Sequence, residues 1–352
     1  MTSSASLSAV AATAAERMQV LRSYTELGQW ADVPVVISVG FFDGVHRGHQ
    51  VLVNTLRDEA ARLNAKSLLI TFSNSPRQYH YPDGHWKFLM TPEEKLYALA
   101  KTGVDAVLML KYDESICRQP AAMFLRGLSH FAEVNGAVFG YDTSIGSDLV
   151  SGEDGLKELC REVGMECRIV AAYSPEHTTI KSSLLRQYVG EGRMKDAAEM
   201  MGHPYFVLSR VVKGRGLGKD RLEIPTANQI LPQDKLAPLE GIYAGSALVQ
   251  EQYLPAAIAV MDLTRARSSV VDTGSGGNSY KDVPADAMIV ESHILDFSGD
   301  IYGEVIRLDF HSRIRDWQDF ATEAELRERM QQDISLTREL SEAVRRGWEK
   351  MK

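Results

Sequence analysis

The residues best suited to chemistry in this 352-residue chain gather in two places. The first is the run Gly40-Phe41-Phe42-Asp43-Gly44-Val45-His46-Arg47-Gly48-His49. It follows the apolar stretch Val35 to Val39 and opens an amphipathic one, so it stands at the carboxyl end of a strand and the start of a helix, where α/β folds bind nucleotides. Gly40, Gly44 and Gly48 let the backbone approach phosphate oxygens closely, and a helix N-terminus adds oriented N–H groups with roughly half a positive charge. Phe42 and Asp43 belong to the same turn. The imidazoles of His46 and His49 can donate hydrogen bonds to a triphosphate held there. A plainer reading makes the run a capping turn with an incidental histidine; the strand before it and the helix after it favour the functional one. Zinc fits poorly, because no further Cys or His is spaced to complete a site with His46 and His49.

The second place is Lys213-Gly214-Arg215-Gly216-Leu217-Gly218-Lys219, a Gly/Lys-rich segment, followed by Pro225-Thr226-Ala227-Asn228. Thr226 and Asn228 are two apart, so on an extended chain they face one side and can hold a single Mg-nucleotide between them. Taken alone, the tetrapeptide is as readily a turn entering a strand.

Around the first place, apolar runs alternate with amphipathic stretches in the order of βαβ units. Strands are expected at Val35 to Val39, Ser67 to Phe72, Ala106 to Leu110, Ala137 to Phe139 and Arg168 to Ala171. Helices are expected at Gly48 to Asn64, Pro92 to Thr102, Pro120 to Ala132 and Glu153 to Val163, with two more at Lys181 to Tyr188 and Lys195 to Met201. This is a doubly wound, Rossmann-like α/β pattern. The segment at Gly202, His203 and Pro204 breaks it, and strand-like runs follow: Phe206 to Val212, Ile242 to Val249, Ala256 to Val260, Met288 to Leu295 and Val305 to Phe310. Separated by Gly, Pro, Asn and Asp, these read as a small antiparallel β-barrel. Gly274 to Asn278 reads as a loop, and Glu323 to Met351 as a charged C-terminal helix whose apolar positions pack on the barrel. The expected division is a flexible leader at 1–20, an α/β domain at 21–202 and a β domain at 203–352.

Composition narrows the function. With 39 Lys and Arg against 47 Asp and Glu, the formal net charge is -8, which argues against a nucleic-acid partner, since phosphate neutralisation needs clustered cations. The three cysteines, Cys117, Cys160 and Cys167, form neither a metal-type pair nor an even disulfide framework and read as reduced thiols of a cytoplasmic protein. Met1 to Ala15 lacks the charged and apolar regions of a secretory signal, and no apolar run approaches the roughly 20 residues that cross a bilayer. No membrane partner is expected.

The first run resembles the signature of bacterial FAD synthetases, a branch of the HxGH nucleotidyltransferases. Thr71-Phe72 with Pro76-Arg77, Thr91-Pro92-Glu93-Glu94-Lys95, Gly140-Tyr141-Asp142, and Lys181-Ser182-Ser183 ahead of Arg186 extend the likeness. Pro225-Thr226-Ala227-Asn228 resembles the riboflavin kinase signature, continued by Pro238, Gly241-Ile242-Tyr243-Ala244, Val290 to Phe297, and Asp300-Ile301-Tyr302-Gly303. The resemblance implies a bifunctional enzyme: riboflavin and ATP give FMN in the β domain, and FMN and ATP give FAD in the α/β domain, both with Mg²⁺. It gives His46 and His49 the ATP phosphates, puts Asp142 near adenylyl transfer, and makes Ser182, Ser183 and Arg186 a phosphate-facing turn and helix start. It makes Glu291 the base at the ribityl hydroxyl and hands the metal and phosphates to Thr226 and Asn228. The partners so implied are small molecules, with the protein a monomer or weak homo-oligomer.

Four segments depart from those families. Asn74-Ser75-Pro76 replaces Pro-His-Pro, and Thr143-Ser144-Ile145-Gly146 replaces Phe-Arg-Phe-Gly, so stacking on the isoalloxazine falls to another ring such as Tyr79 or Tyr141. Glu223 stands in place of a glycine, and Ala259-Val260-Met261 in place of Asn-Ile-Gly. Two alternatives therefore stay open: FAD synthesis alone with a degenerate kinase, or a flavin- or nucleotide-binding regulator without turnover.

Overall fold

A computed structural model describes residues 18–81, 86–174, 179–213, 224–268 and 283–349. The chain forms two compact units.

In the α/β unit, β1 (Gln19–Leu21), β2 (Pro34–Val39), β3 (Lys66–Phe72), β4 (Ala106–Leu110) and β5 (Glu133–Gly140) form a sheet with a strand at Glu166–Val170. The hairpin β6 (Ser144–Ile145) and β7 (Val150–Ser151) precedes that last strand, which is therefore β8. The order across the sheet is β1-β4-β3-β2-β5-β8 and every pairing is parallel. From β2 the chain winds outward through β3 and β4 on one side and through β5 and β8 on the other, which makes β2/β5 the switch point where such folds bind ligands. There the register runs from Pro34↔Glu133 to Ile37↔Ala137, so the last residues of β2 are not paired with β5. Helix Arg47–Arg62 turns Leu52, Val53, Leu56 and Ala60 inward and packs on β2, β3 and β5. The leader expected at 1–20 ends in a strand, for Gln19–Leu21 pairs with Ala106 to Leu108.

The second unit holds a barrel closed in the order β10-β13-β12-β11-β14-β9, with β9 Tyr205–Val212, β10 Ala227–Ile230, β11 Gly241–Val249, β12 Gln252–Asp262, β13 Met288–Ile294 and β14 Val305–Arg315. Its core includes Tyr205, Tyr243, Val260, Leu308 and Phe310, all buried. Helix Glu323–Glu349 packs on β11, β12 and β14. Its Leu326, Met330, Ile334 and Leu340 are half-buried, and among the described residues Asp333, Thr337 and Ser341 add buried polar positions. Arg315 donates to both Asp333 oxygens, the shortest at 2.7 Å, and Ser341 Oγ donates to Gly245 O at 3.0 Å. Hydrogen bonding is what makes such polar burial tolerable.

Among the described residues, two segments join this unit from outside 203–352. Helices Ser182–Gly190 and Met194–Met201 fall with it from Ser183 onward, the second packing on β9 and β14. Lys87–Thr91 also belongs to it. Phe88 pairs in parallel with Lys235, donating its N–H to Asp234 O at 2.7 Å and accepting from Leu236 N at 2.8 Å. The Lys235 ammonium, 3 % exposed, donates to Leu89 O at 2.7 Å and Phe206 O at 2.9 Å.

Candidate functional site

At the carboxyl end of β2 the chain enters a strained turn. Phe42, Gly44 and Val45 have φ of 53°, 83° and 39°; for a β-branched residue such as Val45 this is an outlier of the kind that clusters at functional sites. His46 then caps helix Arg47–Arg62, its Nδ1 accepting from His49 N at 3.3 Å. With Nδ1 accepting, the neutral His46 ring carries its proton on Nε2. The two imidazoles stack with centroids 3.6 Å apart and planes 16° off parallel. Gly48 permits this fold-back, because a Cβ there would lie 3.2 Å from the His46 ring. Burial first, then the closeness of His46 and Lys95, which makes a further positive charge unfavourable, hold His49 well below the usual histidine range, so it is neutral at pH 7. Its Nδ1 is buried with no hydrogen-bond partner among the described residues, a polar atom suited to a ligand.

The turn is tied down from several sides. Ser182 Oγ donates to Asp43 O at 3.1 Å, Gln50 Nε2 to Val45 O at 2.9 Å, and Thr71 Oγ1 to Phe41 O at 3.0 Å. Gly40 is packed against the Phe42 ring, 2.9 Å from where a Cβ would stand. Across the switch point, Asp142 follows β5 and is exposed, with Oδ1 beside Gly140.

In the barrel unit the site is a strand face. Cross-strand register sets Asn228 of β10 opposite Glu291 of β13, and Ala259 of β12 opposite Glu291 on the other side. Thr226 Oγ1 donates to Glu291 Oε1 at 2.5 Å. Desolvation raises the Glu291 carboxyl above its ordinary range, the Thr226 hydroxyl pulling the other way. Pro225 O accepts from His293 Nδ1 at 2.8 Å, which fixes the entry into β10. A hydroxyl, an amide and a carboxyl group of raised proton affinity thus come together where β10 pairs with β13.

The two units match known protein families. Residues 29–184 fit the FAD synthetase family and residues 201–341 the riboflavin kinase family. A bifunctional riboflavin kinase/FMN adenylyltransferase of Escherichia coli K12 is 29% identical over 329 residues, 92% of this chain and 97% of its own. Its namesake from Haemophilus influenzae is 26% identical over 300 residues, 85% and 91% of the two chains. The chain belongs to the bifunctional riboflavin kinase/FAD synthetase family. A crystal structure of a Streptococcus pneumoniae protein described as a macrolide-efflux protein is also similar, with TM-score 0.75 and 25% identity over 92% of this chain and 99% of that one. No helix among the described residues is long and apolar enough to cross a membrane.

Within the FAD synthetase unit the structure brings together Gly40, Phe42, Asp43, Gly44, His46, Gly48, His49 and Ser182 in one turn and its ties. Ser183 and Arg186 fall in the riboflavin kinase unit, where Ser183 is exposed and Arg186 Nε donates to Lys87 O at 3.0 Å. In that unit Pro225, Thr226, Asn228 and Glu291 converge, while Gly216, Gly218, Glu223 and the loop at 274–278 lie outside the described residues.

The departures from the family have local uses. Ser75 caps helix Pro76–His80, accepting from Arg77 N and Gln78 N. Asn74 clamps Tyr112 through two 2.8 Å hydrogen bonds to its backbone. Tyr112 meets the rings of Phe72, Tyr79 and His80 edge-on. Sequence reasoning named Tyr79 but missed Tyr112, whose only signal is an aromatic residue just past a strand. It also passed over Lys95, quoted only as part of a landmark.

Proposed function

We propose that the chain carries out two consecutive ATP-dependent steps, each at one of the sites built above. The riboflavin kinase unit phosphorylates riboflavin to FMN, and the FAD synthetase unit adenylylates FMN to FAD. The observation that carries this reading is the survival of both constellations in one chain: stacked His46 and His49 at a helix start on the switch point, and the Thr226–Glu291–Asn228 face of the barrel.

In the kinase step Glu291 accepts the proton of the terminal ribityl hydroxyl as that oxygen attacks the γ-phosphorus of ATP and ADP leaves. Its raised proton affinity suits a base better than that of an ordinary carboxylate. Thr226 and Asn228 hold the nucleotide phosphates. Hydroxyl, amide and carboxylate oxygens are hard donors of the kind Mg²⁺ takes, and a bound Mg²⁺ would supply charge neutralisation between the phosphates. In the adenylyl step an FMN phosphate oxygen attacks the α-phosphorus of ATP and pyrophosphate leaves, so the protein positions and neutralises rather than forming a covalent link. His46 and His49, with the N–H groups opening helix Arg47–Arg62, hold the triphosphate. Asp142 stands at the reacting side, and the rings of Tyr79, Tyr112 or Tyr141 offer faces for the isoalloxazine. The reading also takes the protein as a cytoplasmic monomer or weak homo-oligomer.

The test is direct. Purified protein is incubated with riboflavin, ATP and Mg²⁺, and FMN is separated from FAD by chromatography. Sequential appearance of both supports the reading, FAD only from added FMN leaves a single activity, and neither product removes it.

A further inference from the structure

Lys95 takes no part in the steps above, yet it is 1 % exposed, a costly place for an ammonium unless every proton is engaged. Its three donors have three acceptors: Phe41 O at 2.8 Å, Thr71 Oγ1 at 3.2 Å and Phe72 O at 2.9 Å, and its nitrogen lies 4.0 Å from the Phe41 ring centroid. All three acceptors stand at the carboxyl ends of β2 and β3, where the nucleotide turn leaves the sheet. The Phe41 carbonyl, last group before the positive-φ residues, receives Thr71 as well. Torsions of that kind cost on the order of 1–3 kcal/mol each and persist only where surroundings over-determine them.

We propose that Lys95 is a positioning residue for adenylyl transfer: by fixing the Phe41 carbonyl at the root of the turn it sets the path of residues 42–45, and so the placement of His46, Gly48 and His49 against the triphosphate. This rests on reading those histidines as the ATP site. A purely stabilising role fits the chemistry less well. Burial brings the ammonium from 10.5 down to about 7, against the pull of the Asp43 carboxylate, so the charged form is disfavoured by folding. An apolar side chain of equal length would fill the space without that cost, offsetting the loss of the donor to the Phe41 and Phe72 carbonyls.

The test is Lys95→Met in the full chain, with both activities and thermal unfolding measured on one preparation. FAD formation from FMN should fall about 30-fold or more, chiefly in kcat rather than in KM for ATP, as expected for misplacement near the reacting groups. FMN formation from riboflavin should stay within about twofold, because that site lies in the other unit, and the unfolding temperature should fall by no more than a few degrees, the two opposed costs largely cancelling. FAD formation within about threefold of the unchanged protein overturns the proposal, as does a parallel loss of both activities, which marks a folding defect. Should Lys95→Met be insoluble, Thr71→Val decides: it removes one acceptor of Lys95 and one donor to Phe41 O, and an unchanged FAD rate there sinks the idea, while a loss of about three- to tenfold confined to FAD formation supports it. An unchanged protein that makes FMN but no FAD would remove the reading beneath the proposal rather than the proposal alone.

Discussion

On the proposed reading the two units meet the same demand, holding ATP phosphates beside a nucleophile, with different materials. The FAD synthetase unit offers backbone N–H groups at a helix start, on a turn whose carbonyls are bonded by Lys95, Thr71, Gln50 and Ser182. The riboflavin kinase unit offers side chains set by strand register, with Glu291 flanked by Asn228 and Ala259. Preorganised electrostatics in the first depends on many weak ties, each partly replaceable. In the second, much depends on one carboxylate whose burial already opposes its ionised form.

That contrast predicts the sharpest single effect in the barrel. Replacing Glu291 by Gln removes the base and should lower FMN formation by about 10²- to 10⁴-fold while FAD formation from FMN persists; a kinase rate within tenfold would show that the carboxylate is not the base. The same substitution has a stability signature. A carboxyl raised on folding favours its protonated form, so its contribution is fully present below the unfolded value near 4.5 and is lost as pH rises through the higher folded value. Glu291→Gln should therefore be at least as stable as the parent at pH 7 and lose that advantage near pH 4, which denaturant titrations at the two values would check. The kinase's acid limb should likewise lie above the ordinary carboxylate range.

Next in size come the imidazoles. His46→Ala and His49→Ala should each cut FAD formation about tenfold or more and leave FMN formation nearly intact, as loss of an oriented donor to a charged group predicts. Equal loss of both activities in a folded protein would break the independence of the two sites. The smallest effect belongs to Gly48→Ala. Its added methyl would meet the His46 ring at 3.2 Å, so the ring gives by a few tenths of an ångström and FAD formation falls about two- to fivefold. A larger fall than that of His46→Ala would mean the backbone at this turn matters more than the imidazole.

A fragment beginning at Pro204, the junction read from the sequence, sharpens the comparison in another way. It lacks Lys87–Thr91 and the helix pair that the compact barrel unit contains, and so leaves the Lys235 ammonium without Leu89 O. It should unfold at lower temperature than the full chain's kinase unit, or aggregate; circular dichroism melts of the two would show whether it does.

Much of this was legible because it is local. Strands such as Ala106–Leu110 announce themselves by composition, and the His46-to-His49 turn by its glycines between a strand and a helix. What escaped is what only long-range contact decides. Gln19–Leu21 is three residues long and finds its partner at Ala106, so within a window it looks like the end of a leader. The pattern of Met194–Met201 declares an apolar face but not which core it covers. Thr226 and Asn228 were placed on one side of a chain correctly in kind, but that they meet Glu291 needs the register of β10 against β13. Lys95 sits in a helix start where a lysine is ordinarily solvated; its burial follows from the ends of two strands it never resembles in sequence.

The strap at Lys87–Thr91 carries a consequence for how the protein is made. Leu89 is synthesised 146 residues before the Lys235 side chain that will hold it. At about 5–20 residues per second on the ribosome, that is a wait on the order of ten seconds. Through that interval Phe88, Leu89 and Met90, all buried in the finished fold, have no strand to pair with. This piece of the barrel unit leaves the exit tunnel long before the barrel exists, and the nascent chain must carry an apolar segment as a debt until its partner emerges.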